Sequence, residues 1–357
     1  MSDVKEPERG GERRPEQGLG LKTERLRAED ADGVVRAAEL LRAGGTVAFP
    51  TETVYGLGAN ALDSAAVAKI FLAKQRPSWD PMIVHVEGRA MLERVAAVPA
   101  GGEGRVVARL MEAFWPGPLT LLLPRTAAVP DAVTAGRPLV GVRAPAHPVA
   151  LELIRLACVP VAAPSANRFG GMSPTTAAHV LADLDGRIDA VLDGGPTNVG
   201  VESTVLDVGA RAIYRPGAVT AAMIAKTIGE EVRVVTAAGS EAGAPEGLAS
   251  PGMGMRHYAP RARLVLVEGQ RELLEEIGRH AGAEVGVMLP DGWEFGAAAV
   301  QFRWGPWGDA EILARLLYLG LRMLDGRGVG VIVCPVPEMG GIGEAIRDRL
   351  EKAARGK

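Results

Sequence analysis

The chain is poor in the residues that mark several function classes. Its 357 residues include two cysteines and five histidines, and aromatic residues make up 4%. Cys158 and Cys334 lie far apart inside apolar segments, which excludes a disulfide framework and any Cys/His spacing for zinc. Both are read as buried thiols. With so few aromatic rings, the cores must be built from Val, Leu, Ile and Ala. No GxxxxGK loop followed by Ser or Thr is present, and no GxGxxG follows the first strand, so a nucleotide would need a different cradle. No Gly-x-Ser-x-Gly elbow supports nucleophilic hydrolysis. The formal net charge is −3 and no long basic run occurs, so bulk charge does not favour nucleic acid, although a local patch remains open. The best apolar run, Leu119 to Leu123, is strand-length and far short of the ~18 residues of a membrane span. Residues 1–22 are charged and glycine-rich without an apolar centre, and read as a disordered tail rather than a secretory signal. A cytoplasmic protein is expected.

Glycine (46) and proline (25) are plentiful, as many tight connections require. The body, residues 23–235, alternates short apolar strands with amphipathic helices, the pattern of an α/β fold. Residues Asp32 to Ala43 have helical spacing, Ser64 to Ala73 a helix capped by Ser64, and Thr46 to Phe49, Met82 to Val86 and Leu139 to Val142 read as strands. Residues 236–262 shift to Gly, Ala, Ser and Pro and read as a linker. A smaller strand–helix unit follows over 263–354. Its long apolar helix, Asp309 to Leu324, is read as packing rather than catalytic.

Polar residues recur at the ends of the predicted strands: Thr51 and Thr53, His85, Arg143, Ser165 and Asn167, Ser203 and Thr204. Ligands of α/β sheets bind at strand ends, so this pattern points to a cleft there. Lys74, Arg76, Arg143 and Arg215 suit phosphate or carboxylate, the arginines through a planar fork. Lys74 and Arg76 precede Pro77, which is expected to stop the helix and leave both cations on a stiff loop. Each residue also has a plainer reading. Lys74 and Arg76 could be surface charges, His85 a satisfied structural group, Ser203-Thr204 an ordinary strand start, and Tyr258 a docking residue.

Several ordered segments together carry a resemblance. They are Phe49 to Gly58 (FPTETVYGLG), Lys74 to Pro77 (KQRP), Asp80 to His85 (DPMIVH), Trp115 to Thr120 (WPGPLT), Val142 to Pro145 (VRAP), Pro164 to Asn167 (PSAN), Glu202 to Val205 (ESTV) and Tyr214 to Gly217 (YRPG). In this arrangement the chain resembles the threonylcarbamoyl-AMP synthase family. Ser250 to Met253, His257 to Pro260 and Gly341 to Ile346 resemble its long form specifically.

The resemblance implies a YrdC-like twisted mixed sheet with helices around a concave cleft, plus a smaller Rossmann-like α/β C-terminal domain. It implies an ATP-dependent nucleotidyltransferase that joins L-threonine and bicarbonate to AMP, releases pyrophosphate, and serves a downstream transferase in tRNA modification. By motif match, Lys74, Arg76, Ser165 and Asn167 form the catalytic set. L-Threonine would meet Thr51, His85, Arg143, Ala163 and Ser203. ATP would meet Arg76, Asp80, Leu139, Ser165, Ser173, Arg215 and Tyr258, with Mg2+ carried on the triphosphate and no protein metal site. Asp80 stands where many members carry Asn. A tRNA-binding module and carbamoyl transfer of the hydrogenase-maturation kind are the alternatives, and a membrane role is not expected.

Overall fold

The computed structural model describes residues 20–30, 32–235, 258–280, 284–294 and 300–355. Most of the expected tail and residues 236–257 of the expected linker lie outside them. In chain order the first part contains β1 (Glu24–Arg27), α1 (Gly33–Arg42), β2 (Val47–Phe49), β3 (Gly56–Asn60), α2 (Ser64–Lys74), β4 (Ile83–His85), α3 (Arg89–Val95), α4 (Gly101–Phe114), β5 (Leu119–Pro124), α5 (Asp131–Thr134), β6 (Leu139–Arg143), α6 (Pro148–Ala157), β7 (Val161–Ala162), α7 (Ala177–Leu184), β8 (Ala190–Asp193), β9 (Thr204–Asp207), β10 (Ala212–Arg215), α8 (Ala221–Ile228) and β11 (Arg233–Val234). The second part contains β12 (Arg263–Val267), α9 (Gln270–Arg279), β13 (Val285–Asp291), β14 (Val300–Pro306), α10 (Ala310–Gly326), β15 (Val331–Pro335) and α11 (Gly343–Ala354).

The first part forms an 11-stranded mixed sheet in the order β1-β8-β2-β3-β7-β4-β6-β5-β9-β10-β11. Aliphatic side chains dominate its core, including Leu41, Val47, Leu57, Val67, Ile70, Leu92, Leu110, Val142, Leu153 and Leu192. The second part is a four-stranded parallel sheet in the order β12-β15-β13-β14. All five residues of β15 are buried, as a strand covered on both faces requires. Its alternation sends Val331 and Val333 to one apolar cluster with Leu273 of α9. Ile332 and Cys334 go to the other, with Leu313, Leu317 and Leu350 of α10 and α11. That second cluster also takes in Val54, Met172 and Val201 of the first part, so the two sheets share a continuous apolar seam.

Several local expectations are corrected. Asp63, not Ser64, caps α2: its carboxylate accepts from Ala65 N at 2.8 Å and Ala66 N at 3.2 Å. The helix ends because Gln75 turns left-handed (φ 54°) and Arg76 N reaches back to Phe71 O at 3.0 Å, a left-handed C-terminal turn placed before Pro77 is reached. Lys74 is therefore the last helical residue rather than part of a loop. Gly56–Asn60 forms a strand that pairs with both β2 and β7. Cys158 is exposed at the C-cap of α6; only Cys334 is buried.

Candidate active site

A cavity opens over one face of the large sheet. It is lined by Thr51, Thr53, Val54, Gly56, Arg76, Ile83, His85, Arg143, Ala163, Pro164, Ser165, Glu202, Ser203, Arg215 and Tyr258. Strand pairing explains the assembly. Parallel β4 and β6 put His85 opposite Arg143 and Ile83 opposite Gly141. Because strand side chains alternate, Ile83 and His85 share one face. Antiparallel β7 runs back along β4, so Ala163 N bonds Ile83 O at 2.9 Å and Ser165 bridges Gly56. Antiparallel β9 and β10 set Arg215 beside Val205. The cavity thus spans a sheet face across short mixed strands. Of the polar residues expected at strand ends, Thr51, Thr53, His85, Arg143, Ser165 and Ser203 line this one cavity, whereas Asn167 and Thr204 do not.

Arginines dominate the charge. Arg143 Nη1 donates to Thr53 Oγ1 at 3.1 Å and Nη2 to Glu52 Oε2 at 3.3 Å. Arg76 holds the Asp80 carboxylate at 2.9 Å and donates to the Pro81 carbonyl at 2.7 Å. Arg215 donates from Nε to the Ser203 carbonyl at 3.0 Å and from Nη2 to Ser203 Oγ at 3.1 Å. Ser203 Oγ also lies 2.8 Å from Thr120 Oγ1. Burial lowers the pKa of Arg76 and Arg143, with the facing carboxylates pulling the other way; guanidinium stays protonated at neutral pH regardless. His85 is held well below the ordinary histidine range by burial and then by Arg143, so its ring is neutral. Its Nδ1, Arg143 Nε and Glu52 Oε1 are buried with no hydrogen-bond partner among the described residues. Buried polar atoms are nearly always satisfied, so orphans grouped around one cavity point to a ligand.

Five expected residues do not line this cavity. Lys74 is buried behind it, donating from Nζ to the carbonyls of Ser165 at 2.6 Å and of Asn167. Asn167 turns its amide onto the carbonyls of Arg168 at 2.7 Å and Gly171 at 2.8 Å. Asp80 sits behind Arg76 with no exposed surface. Ser173 donates to Glu202 Oε1. Leu139 lines a separate cavity with Arg137, Thr134 and Tyr214. Conversely, Glu52 and Glu202 were not singled out in the sequence. Their signal was position: each directly precedes a flagged hydroxyl residue. No group of three or more His, Cys, Asp or Glu able to hold a metal occurs among the described residues, and the cavity carboxylates face arginines.

Residues 39–217 match the profile of a Sua5/YciO/YrdC family described as "Telomere recombination", and residues 219–355 match the "Threonylcarbamoyl-AMP synthase, C-terminal domain". The chain is 43% identical to the threonylcarbamoyl-AMP synthase of Pyrococcus abyssi over 89% of its own length and 93% of the relative's. The chain belongs to the threonylcarbamoyl-AMP synthase family. The Bacillus subtilis family member is 42% identical, covering 94% of this chain and 96% of that one. The crystal structure of Pyrococcus abyssi Sua5 complexed with L-threonine superposes with a TM-score of 0.85 at 41% identity, over 93% of this chain and 97% of that one. The family match extends over both sheets, so the expected two-part α/β architecture holds for this family member. Among the described residues, no helix is long and apolar enough to cross a membrane.

Proposed function

We propose that the cavity joins L-threonine, bicarbonate-derived CO2 and ATP into L-threonylcarbamoyl-AMP, releasing pyrophosphate. The observation that carries this reading is the pair of buried, unpartnered polar atoms on His85 and Arg143, which line one arginine-rich cavity, with a third on Glu52 paired to Arg143. An amino acid supplies matching chemistry: a carboxylate for the Arg143 guanidinium, whose Nε has no partner, and a hydroxyl or amine for the neutral His85 ring and Glu52. Thr51, Ala163 and Ser203 complete that end, and ATP lies toward Arg76, Ser165, Arg215 and Tyr258.

The threonine amine, as its free base, adds to CO2 to give a carbamate. A carbamate oxygen then attacks the α-phosphorus, and the bond to the bridging oxygen breaks with its electron pair leaving on pyrophosphate. Arg76 and Arg215 are preorganised cations where that negative charge spreads, and no protein nucleophile is required. Mg2+ would arrive on the triphosphate, since the carboxylates here are committed to arginines. Lys74 and Asn167 then act through the backbone, holding the Ser165 loop. Asp80 and Ser173 hold Arg76 and Glu202.

The cavity volume is about 70 Å³, smaller than the roughly 300–1,000 Å³ of pockets for drug-sized ligands. Tyr258 is buried in its wall, on the side proposed for the nucleotide. The product would pass to a threonylcarbamoyl transferase acting on tRNA. The test is pyrophosphate release that depends on threonine, bicarbonate and Mg-ATP together. Tight tRNA binding without such release would return the reading to an RNA-binding module.

A further inference from the structure

The cavity wall is completed from the second sheet's side. Glu202 is buried and lines the cavity beside Ser203. Its Oε1 accepts from Ser173 Oγ. Tyr318 OH of α10 lies 3.2 Å from each carboxylate oxygen, and Arg349 Nε of α11 donates to Oε2 at 2.8 Å. The Arg349 guanidinium also sits 5.5 Å from the centre of the Tyr258 ring, which packs on Tyr318 at 5.9 Å. One arginine of the second part therefore touches both a cavity carboxylate and a cavity aromatic.

Packing alone does not call for Arg349. Ala345, Ile346, Leu350 and Ala353 already hold the buried face of α11, and arginine is almost never fully buried unless paired. Arg349 is 1% exposed. Burial opposes charge on both partners. For Glu202, Arg349, Arg215 and Ser173 outweigh it and hold the carboxyl below its usual range. For Arg349, Tyr258, Glu202 and Asp348 outweigh it and keep the guanidinium well above its ordinary value. The pair is ionised, and its surroundings are stiff. A Cβ on Gly200, whose φ is +82°, would lie 2.4 Å from the Ala314 carbonyl oxygen, so the chain just before Glu202 lies directly against α10. Beyond Glu202, Arg215 donates to both the carbonyl and the hydroxyl of Ser203.

We infer that Arg349 is a positioning residue for the active cavity: it fixes Glu202, and through that residue it sets Ser203 and the Tyr258 ring against the substrates. This rests on the placement of threonine beside Ser203 proposed above.

The experiment is steady-state pyrophosphate release by the full chain, with L-threonine varied at saturating Mg-ATP and bicarbonate, alongside thermal unfolding. Arg349→Met should raise KM for threonine at least tenfold and lower the Tm, because an ionised Glu202 is left without its partner. Arg349→Lys should recover part of the KM, since it restores the charge but not the fork. In Arg349→Met with Glu202→Gln, stability should return while KM stays raised, because no unpaired charge remains but nothing fixes residue 202. A double variant with wild-type stability and wild-type kcat and KM would reduce Arg349 to a purely structural ion pair. Arg349→Met within twofold of wild type overturns the proposal if Ser203→Ala is impaired in the same assay. A Ser203→Ala enzyme with unchanged threonine KM instead removes the underlying threonine placement.

Discussion

Lys74 donates to the carbonyl oxygen of Ser165 at 2.6 Å, joining residues 91 positions apart. The same Nζ bonds the Asn167 carbonyl, and Phe169 N bonds the Lys74 carbonyl at 2.9 Å. One residue thus pins the loop after β7 at three points. Burial, then Arg76, pushes the Lys74 amine well below its ordinary pKa, and in either protonation state the amine has N–H donors enough for its two carbonyls. Lys74→Met should abolish measurable pyrophosphate release and lower unfolding free energy by roughly 1–3 kcal/mol, the penalty for unsatisfied buried acceptors. Urea denaturation and the turnover assay together check this. Full activity in a folded variant would separate the lysine from the site.

Arg143 spans Thr53 and Glu52 with two nitrogens. A lysine offers a point charge and cannot occupy both. Arg143→Lys should raise KM for threonine about 10–100-fold, at about 1.4 kcal/mol per factor of ten. Titration calorimetry with threonine should show the same loss.

Asp80 is buried against Arg76. Burial pushes its carboxyl up despite Arg76 and Lys74. A raised folded pKa means the ionised form opposes folding at neutral pH, and the opposition fades as pH falls. Asp80→Asn should therefore keep or increase stability at pH 7 and gain less at pH 5. Its turnover should stay within about fivefold, because an amide oxygen keeps a polar neighbour beside Arg76, which also donates to the backbone carbonyls of Asp80 and Pro81. Asp80→Ala, leaving Arg76 without that partner, should lose at least tenfold.

His179 lies 3.3 Å from Thr175 N and Oγ1. Burial, then Arg322, lowers its pKa from 6.5 to about 4, with Asp183 opposing. The unfolded chain then takes up the proton first. Stability is complete above pH 6.5 and declines as pH falls toward 4. His179→Gln should flatten that decline in chemical-denaturation curves collected across the interval; an unchanged slope would mean the ring does not titrate this way.

Gly200→Ala tests the seam between the sheets. Its φ of +82° and a 2.4 Å approach to the Ala314 carbonyl leave no room for a methyl group. The variant should lose about 1–3 kcal/mol, as overpacked sites do. Exchange protection of amides in α10 should fall before that of β4 or β6.

Much of this protein is local and was legible in the residues. Helical spacing located α1, α2 and α10 to within a few positions, because 3.6-residue periodicity is written into consecutive side chains. The motif segments delivered most of the cavity wall: Thr51, Arg76, His85, Arg143, Ala163, Ser165, Ser203, Arg215 and Tyr258 all line it. What failed locally failed for identifiable reasons. Asp63 and Ser64 are adjacent capping residues, and only backbone geometry chooses between them. Cys158 sits in an apolar stretch but at a left-handed cap, where its side chain faces solvent.

Tertiary structure decided the partners. Nothing in the Lys74–Arg76 segment tells which cation enters the cavity. The left-handed turn at Gln75 sends Arg76 in and leaves Lys74 behind, on backbone carbonyls near residue 166. Glu202 and Arg349 lie 147 positions apart, and each reads alone as an ordinary charge. Their meaning is set by burial, which makes an unpaired charge costly and so joins two distant segments. The sequence determined the elements, the family and most of the cavity lining; packing of the second sheet against the first decided which charges face the substrates and which hold the wall in place.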